Sequence, residues 1–323
     1  MTTILWATKL YRPRNAGSEF YAEGVCRELA ALGHEVHVMT STSEGWHRIS
    51  DGGRGVKVWR CRRMADFGTI CREVKPRVVL VNYEWTRNVL LQSDRPVAVV
   101  MHNTWSAQSV PLNLRLRVSL WIANSAPTLA GTVPEARARR HLIVTPPLDM
   151  ARVAVRPGAA RDAVGVIGLS PEKGGRLFWA LAERMPDIRF VAQPGGYGVQ
   201  EVHRLPNVEV VPTGDVRDLF DRCKIFLFPS RFESWGMAGL EAQANGSAVL
   251  ASDLPTLHHS LGDGAAFLPA DPAAWEPVIR KLLSDEKMFS SLTERGKLNA
   301  DRRRQEHADQ VHALSDTLKE LAR

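Results

Sequence analysis

The sequence predicts an α/β protein of two domains, each a parallel sheet flanked by helices. Three observations lead there. The chain has 323 residues, roughly twice a typical domain, so each half is long enough to bury its own core. Short β-branched or apolar runs alternate along it with amphipathic stretches, the pattern of successive strand–helix units feeding a parallel sheet. That plan occurs twice, with Pro, Gly and small residues between the repeats.

In the first half the strand candidates are, in order, Ile4–Ala7, Val36–Thr40, Val56–Cys61, Val78–Asn82, Val97–His102 and Leu120–Asn124, separated by helical stretches such as Glu19–Leu32 and Ala65–Val74. In the second they are Ala163–Ile167, Ile188–Ala192, Val208–Val211, Ile225–Pro229, Ala248–Ala251 and Ala266–Leu268. The link lies in Leu148–Ala160, so the domains are read as 1–155 and 156–305. From Trp275 onward the sequence turns helical and charged. A last amphipathic helix, His307–Leu321, fills segment 306–323 and is expected to pack back near the first domain. The stretch Leu112–Leu120 alternates strictly and predicts a strand, with a helix to about Arg117 as the alternative. Its arginines suit anionic lipid, although such alternation more often buries one face.

A content of 44% hydrophobic and 24% charged residues fits a globular enzyme, and no run approaches the ~18 uninterrupted apolar residues of a membrane span. Residues Met1–Trp6 enter a strand-like run with no basic region or cleavage site, so a cytoplasmic location is expected. Cys26, Cys61, Cys71 and Cys223 lack metal or redox spacing and are expected to stay reduced. The net charge divides unevenly. Residues 1–150 hold 20 Lys+Arg against 12 Asp+Glu, giving +8, and the remainder 22 against 23, giving −1. Such an asymmetry suggests an anionic partner for the first domain; a solvated Arg-rich surface is the other reading.

The chemistry is densest in Phe228-Pro229-Ser230-Arg231-Phe232-Glu233-Ser234-Trp235-Gly236-Met237-Ala238-Gly239-Leu240-Glu241-Ala242. An apolar strand ends at Pro229, a polar loop follows, and a helix is expected to start between Trp235 and Met237. The stretch thus lies at the carboxyl end of a strand, where open α/β sheets bind ligands. Free N–H groups at the helix start favour a phosphate, and Gly236 and Gly239 admit close approach. Glu233 and Glu241 bracket that start, the second about two turns along from the first. Two carboxylates so placed suit the hydroxyls at either end of an elongated ligand.

This stretch resembles the paired-glutamate signature of retaining GT-B glycosyltransferases, specifically glycosyltransferase family 4, and the likeness continues through Ala244–Asp253. The resemblance implies a GT-B fold, two Rossmann-like β/α/β domains facing across a cleft, with acceptor bound by the first and nucleotide sugar by the second. It implies transfer of a sugar from a nucleoside diphosphate to an acceptor hydroxyl, with retention and without a metal ion or other cofactor. Glu233 would hold the donor sugar, Glu241 the ribose, and the backbone N–H groups of Met237 and Ala238 the diphosphate, with Ser234, Trp235 and Gly236 also in the donor site. Three further stretches are similar to the family. Tyr11–Glu19 looks like its glycine loop, placing Gly17 near donor phosphate and Arg12 and Arg14 near the acceptor. His102 matches its histidine facing the reacting sugar. Gly168–Gly175 resembles its Gly-Arg-x-x-x-x-Lys-Gly loop, making Lys173 a cation for the leaving diphosphate. His102, Lys173 and Glu233 are then the catalytic candidates.

The loop departs from the family at Gly168, where the pattern has Arg; Arg231, Arg176 or a loop of the first domain are the replacements considered. No Asp-x-Asp, His-Glu-x-x-His, Gly-x-Ser-x-Gly or Walker loop occurs, so neither a metal site nor those chemistries are indicated. The expected partners are a nucleotide-sugar donor and an anionic acceptor: a lipid phosphate with peripheral membrane contact, a nucleic acid, or an acidic protein or glycan. Other readings on the same fold are an epimerase, a phosphorylase, or a nucleic-acid- or sugar-binding protein.

Overall fold

The structure, a computed structural model, describes all residues except 13–15, 42–46, 52–54, 62–63 and 197, and for 47–51 it gives the strand without side chains. The chain forms two compact units: Met1–Pro147 together with Glu306–Arg323, and Leu148–Gln305. The division falls ahead of position 155, between Pro147 and Leu148.

In the first unit β1 (Thr3–Ala7), β2 (Glu35–Ser41), β3 (His47–Asp51), β4 (Val56–Cys61), β5 (Val78–Val81), β6 (Val97–Met101), β7 (Val118–Ala123) and β8 (His141–Ile143) make one sheet in the order β3-β4-β2-β1-β5-β6-β7-β8. Its pairs are parallel apart from β3, which lies antiparallel to β4 at the edge. Successive side chains leave on opposite faces. Ile4, Trp6, Val78 and Leu80 enter one apolar cluster and Leu5, Ala7, Val79 and Val81 the other. Burial on both faces is why these strands read as unbroken apolar runs.

The second unit repeats the scheme. Strands β9 (Ala163–Ile167), β10 (Phe190–Gln193), β11 (Val208–Val210), β12 (Cys223–Phe228), β13 (Ala248–Ser252) and β14 (Ala265–Leu268) pair in parallel in the order β11-β10-β9-β12-β13-β14. Strand order therefore reverses between β1 and β5 in one sheet and between β9 and β12 in the other. At such a reversal the adjacent loops diverge to opposite faces and leave a crevice at the carboxyl ends, where ligands settle.

Each strand expected from sequence coincides with an observed strand, its ends displaced by a residue or two at most; β3 and β8 are additional. The continuous strand expected over Leu112–Leu120 does not form. A short helix, Leu112–Arg115, follows Pro111, and β7 begins at Val118. A strand would have placed Leu112, Leu114 and Leu116 on one buried face, whereas Leu114 is buried and Leu112 and Leu116 are exposed. The last helix is also longer than expected, running Glu286–Leu321. Its Val311, Leu314 and Leu318 join the apolar cluster of the first unit. Its polar side is anchored too. Gln310 accepts from the backbone and hydroxyl of Thr145 at 2.8 and 2.9 Å, and His307 reaches the Thr145 carbonyl at 2.6 Å and the Glu28 carboxylate at 2.7 Å.

Candidate active site

In the second unit the order reversal brings together the loops after β9 and β12. Lys173 closes the short turn Pro171–Lys173 after β9, and its Nζ lies 2.5 Å from Glu233 Oε1 in the loop after β12. The same oxygen accepts from Ser230 Oγ at 2.9 Å. Backbone ties fix the two loops: Arg231 N–H donates to the Glu172 carbonyl at 2.9 Å. A Cβ on Gly174, which has φ +78°, would stand 2.1 Å from the Pro229 carbonyl oxygen, so a larger residue would push the loops apart.

Gly168 occupies the position where the resembling pattern has Arg, and its backbone is left-handed with φ +88°. A Cβ there would come within 3.1 Å of the Lys173 Cβ. The missing cation is thus built into a backbone shape that disfavours any side chain. Of the replacements considered, Arg176 makes two hydrogen bonds to Glu201, at 3.2 and 3.1 Å. Arg231 is exposed.

The helix after Glu233 runs Met237–Ala244, with Gly236 at its N-cap in a left-handed conformation and no side-chain cap. The N–H groups of Met237 and Ala238 open its first turn, where unsatisfied donors collect. The helix begins at Met237, within the expected range, and Glu241 stands about one turn into it. Glu241 is buried and ion-paired with Arg152 of the short helix Met150–Val153. Burial raises its carboxyl pKa, and the Arg152 charge partly offsets this. Ser234 is half-buried. Trp235 is buried within the second unit's core, edge-on to His259 and under the Arg303 guanidinium. Its backbone lies along the loop while its side chain supports it.

In the first unit Gly17 is the first residue of helix Gly17–Ala31, in the chain segment after β1. Arg12 pairs with Glu23 at 3.3 Å and lies over the Phe20 ring, and its carbonyl accepts from Arg60 at 2.8 Å. Arg14 lies outside the described residues, as do Arg54, Arg62, Arg63 and the Arg48 side chain. Part of the basic excess is internally engaged: Arg115 pairs with Glu135 at 3.1 Å, and Arg117 donates to the Ser93 carbonyl at 3.3 Å.

His102 follows β6 and is buried. Its Nε2 lies 3.3 Å from Asn82 Nδ2, and its backbone N–H donates to Ser106 Oγ at 3.2 Å. Tyr83 stacks on the ring, centroids 5.1 Å apart, and Tyr21 meets it edge-on at 4.9 Å. Burial lowers the imidazole pKa to about 4, so the ring is neutral at physiological pH. Sequence reasoning missed Arg152, Asn82 and Tyr83. Asn82 carried a faint signal as a polar residue closing an apolar strand; Arg152 and Tyr83 carried none.

Among the described residues no cluster of three or more His, Cys, Asp or Glu stands ready to hold a metal. No described helix is long and apolar enough to cross a membrane.

Residues 201–299 match the family described as glycosyl transferases group 1. Solved structures align along almost the whole chain. Sucrose-phosphate synthase from Thermosynechococcus elongatus superposes with a TM-score of 0.78 at 14% identity, covering 98% of this chain and 99% of that one. Anabaena HepE in complex with UDP and glucose gives 0.73 at 16% identity, covering 99% and 100%. The chain has the GT-B fold. In sequence, the serotype-specific mannosyltransferase WbdA of Escherichia coli is 34% identical over 98 residues, 28% of this chain and 12% of that one. The D-inositol 3-phosphate glycosyltransferase of Geodermatophilus obscurus is 27% identical over 216 residues, 53% of this chain and 48% of that one. This GT-B chain thus spans about half the length of the second relative and far less of the first.

Proposed function

We propose that the protein transfers a sugar from a nucleoside diphosphate to an acceptor hydroxyl, with retention of configuration and without a metal ion. The observation that carries this reading is the meeting of Lys173 and Glu233 across the strand-order reversal, beside the uncapped helix start at Met237. A cation and free N–H groups suit a diphosphate, and a carboxylate suits sugar hydroxyls. HepE, of the same fold, has been seen with UDP-glucose. Reaction then depends on holding donor and acceptor in line and on stabilising charge that develops on the leaving diphosphate. That diphosphate also takes up the acceptor proton, so no carboxylate base is required. The test is a screen of UDP-, GDP- and ADP-sugars for release of free nucleotide, first with water as acceptor. No release from any of them would overturn the reading.

Metal independence follows from Lys173 and from the lack of an Asp-x-Asp pair in the sequence. Nucleotide release should persist in excess chelator. Loss there, restored by Mn²⁺, would show that the diphosphate is held in another way.

The acceptor is proposed to be anionic, because the +8 balance falls in residues 1–150. Exposed charges are screened over ~10 Å at 0.1 M salt, so acceptor affinity should fall with salt while donor affinity changes less. Binding should weaken in a variant with Arg60, Arg62 and Arg63 changed to Gln. Equal binding of a neutral acceptor by both proteins at all salt concentrations would reduce the basic half to a solvated surface.

A further inference from the structure

At the strand-order reversal in the first sheet, three residues from three neighbouring strands meet. Trp6 lies in β1 opposite Leu80 of β5, Asn82 follows the end of β5, and His102 follows β6. Trp6 Nε1 donates to Asn82 Oδ1 at 3.1 Å, and Asn82 Nδ2 lies 3.3 Å from His102 Nε2. An indole N–H can only donate, so the atom facing Trp6 must be the amide oxygen. The Asn82 NH₂ is thereby turned toward His102. An NH₂ group can only donate, so Nε2 must accept and cannot carry the ring proton. That proton sits on Nδ1, which makes no hydrogen bond among the described residues.

We infer that Trp6 and Asn82 are positioning residues that hold His102 as the Nδ1–H tautomer, so that the ring presents to a ligand a hydrogen-bond donor and no acceptor. The aromatic surroundings serve the same end. Tyr83 stacks at 21° to the imidazole, and Tyr21, itself bonded to the Val144 carbonyl at 3.0 Å, stands at 87° to it. A ring so gripped cannot turn over and exchange its two nitrogens. Tyr83 holds this place with φ +56°, a left-handed backbone rare for a bulky residue and tolerated where the surroundings fix it. A buried imidazole would in any case resist a second proton, and Asn82 adds a donor that repels one.

The chemical consequence rests on the proposed transferase reading. His102 is unable to serve as general base through Nε2, and its Nδ1–H suits an electronegative oxygen of a bound ligand. The experiment uses the full chain with ¹⁵N-labelled histidine. The ring nitrogens of His102 are identified by comparison with His102→Gln, and their proton occupancy is read by NMR. The wild type should show Nδ1 protonated and Nε2 bare. Asn82→Asp substitutes an acceptor for the NH₂ and should protonate Nε2. Trp6→Phe frees the amide to turn and should give a mixture. With a sugar nucleotide that the wild type cleaves, Asn82→Asp should lower kcat at least tenfold while changing donor KM less than twofold.

A wild-type ring protonated at Nε2 would overturn the inference. So would a switched tautomer that leaves kcat intact, since the relay would then be structural alone. If Asn82→Asp fails to fold, Trp6→Phe supplies both measurements. If no nucleotide sugar is cleaved, the transferase reading fails by itself, while the tautomer measurement, which needs no substrate, still decides what Trp6 and Asn82 do.

Discussion

Lys173→Ala is expected to lower turnover by about 10²–10³-fold, the usual loss when one preorganised group facing developing charge is removed. On the proposed reading the leaving diphosphate gains charge as the sugar departs, so Lys173 would act more on the transition state than on bound donor, and KM should change much less than kcat. In the free protein its ammonium rests on Glu233, 2.5 Å away, with Ser230 as that carboxylate's other partner. Glu233 would lose its cation in the variant but keep the Ser230 hydroxyl. The two side chains act as one unit, so the double variant Lys173→Ala/Glu233→Ala should be little worse than either single one. Steady-state kinetics on all three proteins check this. Full additivity would separate the two residues, and wild-type turnover in the single variants would remove the site from the second unit's crevice.

The second large effect is on stability. The imidazole of His102 falls from an ordinary value of 6.5 to about 4 on burial. The unfolded chain therefore binds a proton at a pH where the folded chain does not. Stability from this group is complete above about pH 6.5 and is lost as pH falls toward 4, because the unfolded state takes up more protons. A tenfold change in proton affinity corresponds to about 1.36 kcal/mol, so the loss reaches roughly 3 kcal/mol. Other groups titrate in the same interval, so the quantity to measure is the difference in unfolding free energy between wild type and His102→Gln. It should shrink by that amount between pH 7 and pH 4. A difference that stays flat would mean that the ring accepts its proton in the folded protein as readily as in the unfolded one.

What could be read from the sequence follows from where the information lies. The parallel strands announced themselves because burial on both faces demands unbroken apolar runs, as in Val78–Val81 and Ile225–Phe228. The segment from Ser230 to Glu241 was legible because a strand end, a polar loop and glycines occur together within a few residues. Edge strands are less demanding. β8 has three residues, exposed or half-buried, and its sequence carries no comparable pattern. Leu112–Leu120 misleads because strict alternation suggests one buried face, whereas a single turn of helix buries Leu114 alone. The helix starts at Met237, within the expected Trp235–Met237 range, with Gly236 at φ +97° as its N-cap. Partners distant in sequence were invisible. Arg152 meets Glu241 across 89 positions and Asn82 meets Trp6 across 76, and nothing local in either segment names the other.

The first unit is discontinuous: it needs residues 306–323 as well as 1–147. As the chain emerges from the ribosome, residues 148–305 can complete their own core while the first unit still lacks Val311, Leu314 and Leu318, leaving part of an apolar face open to water. Synthesis order and assembly order are thus opposed: residues 1–147 are made before 148–305 and finished after them.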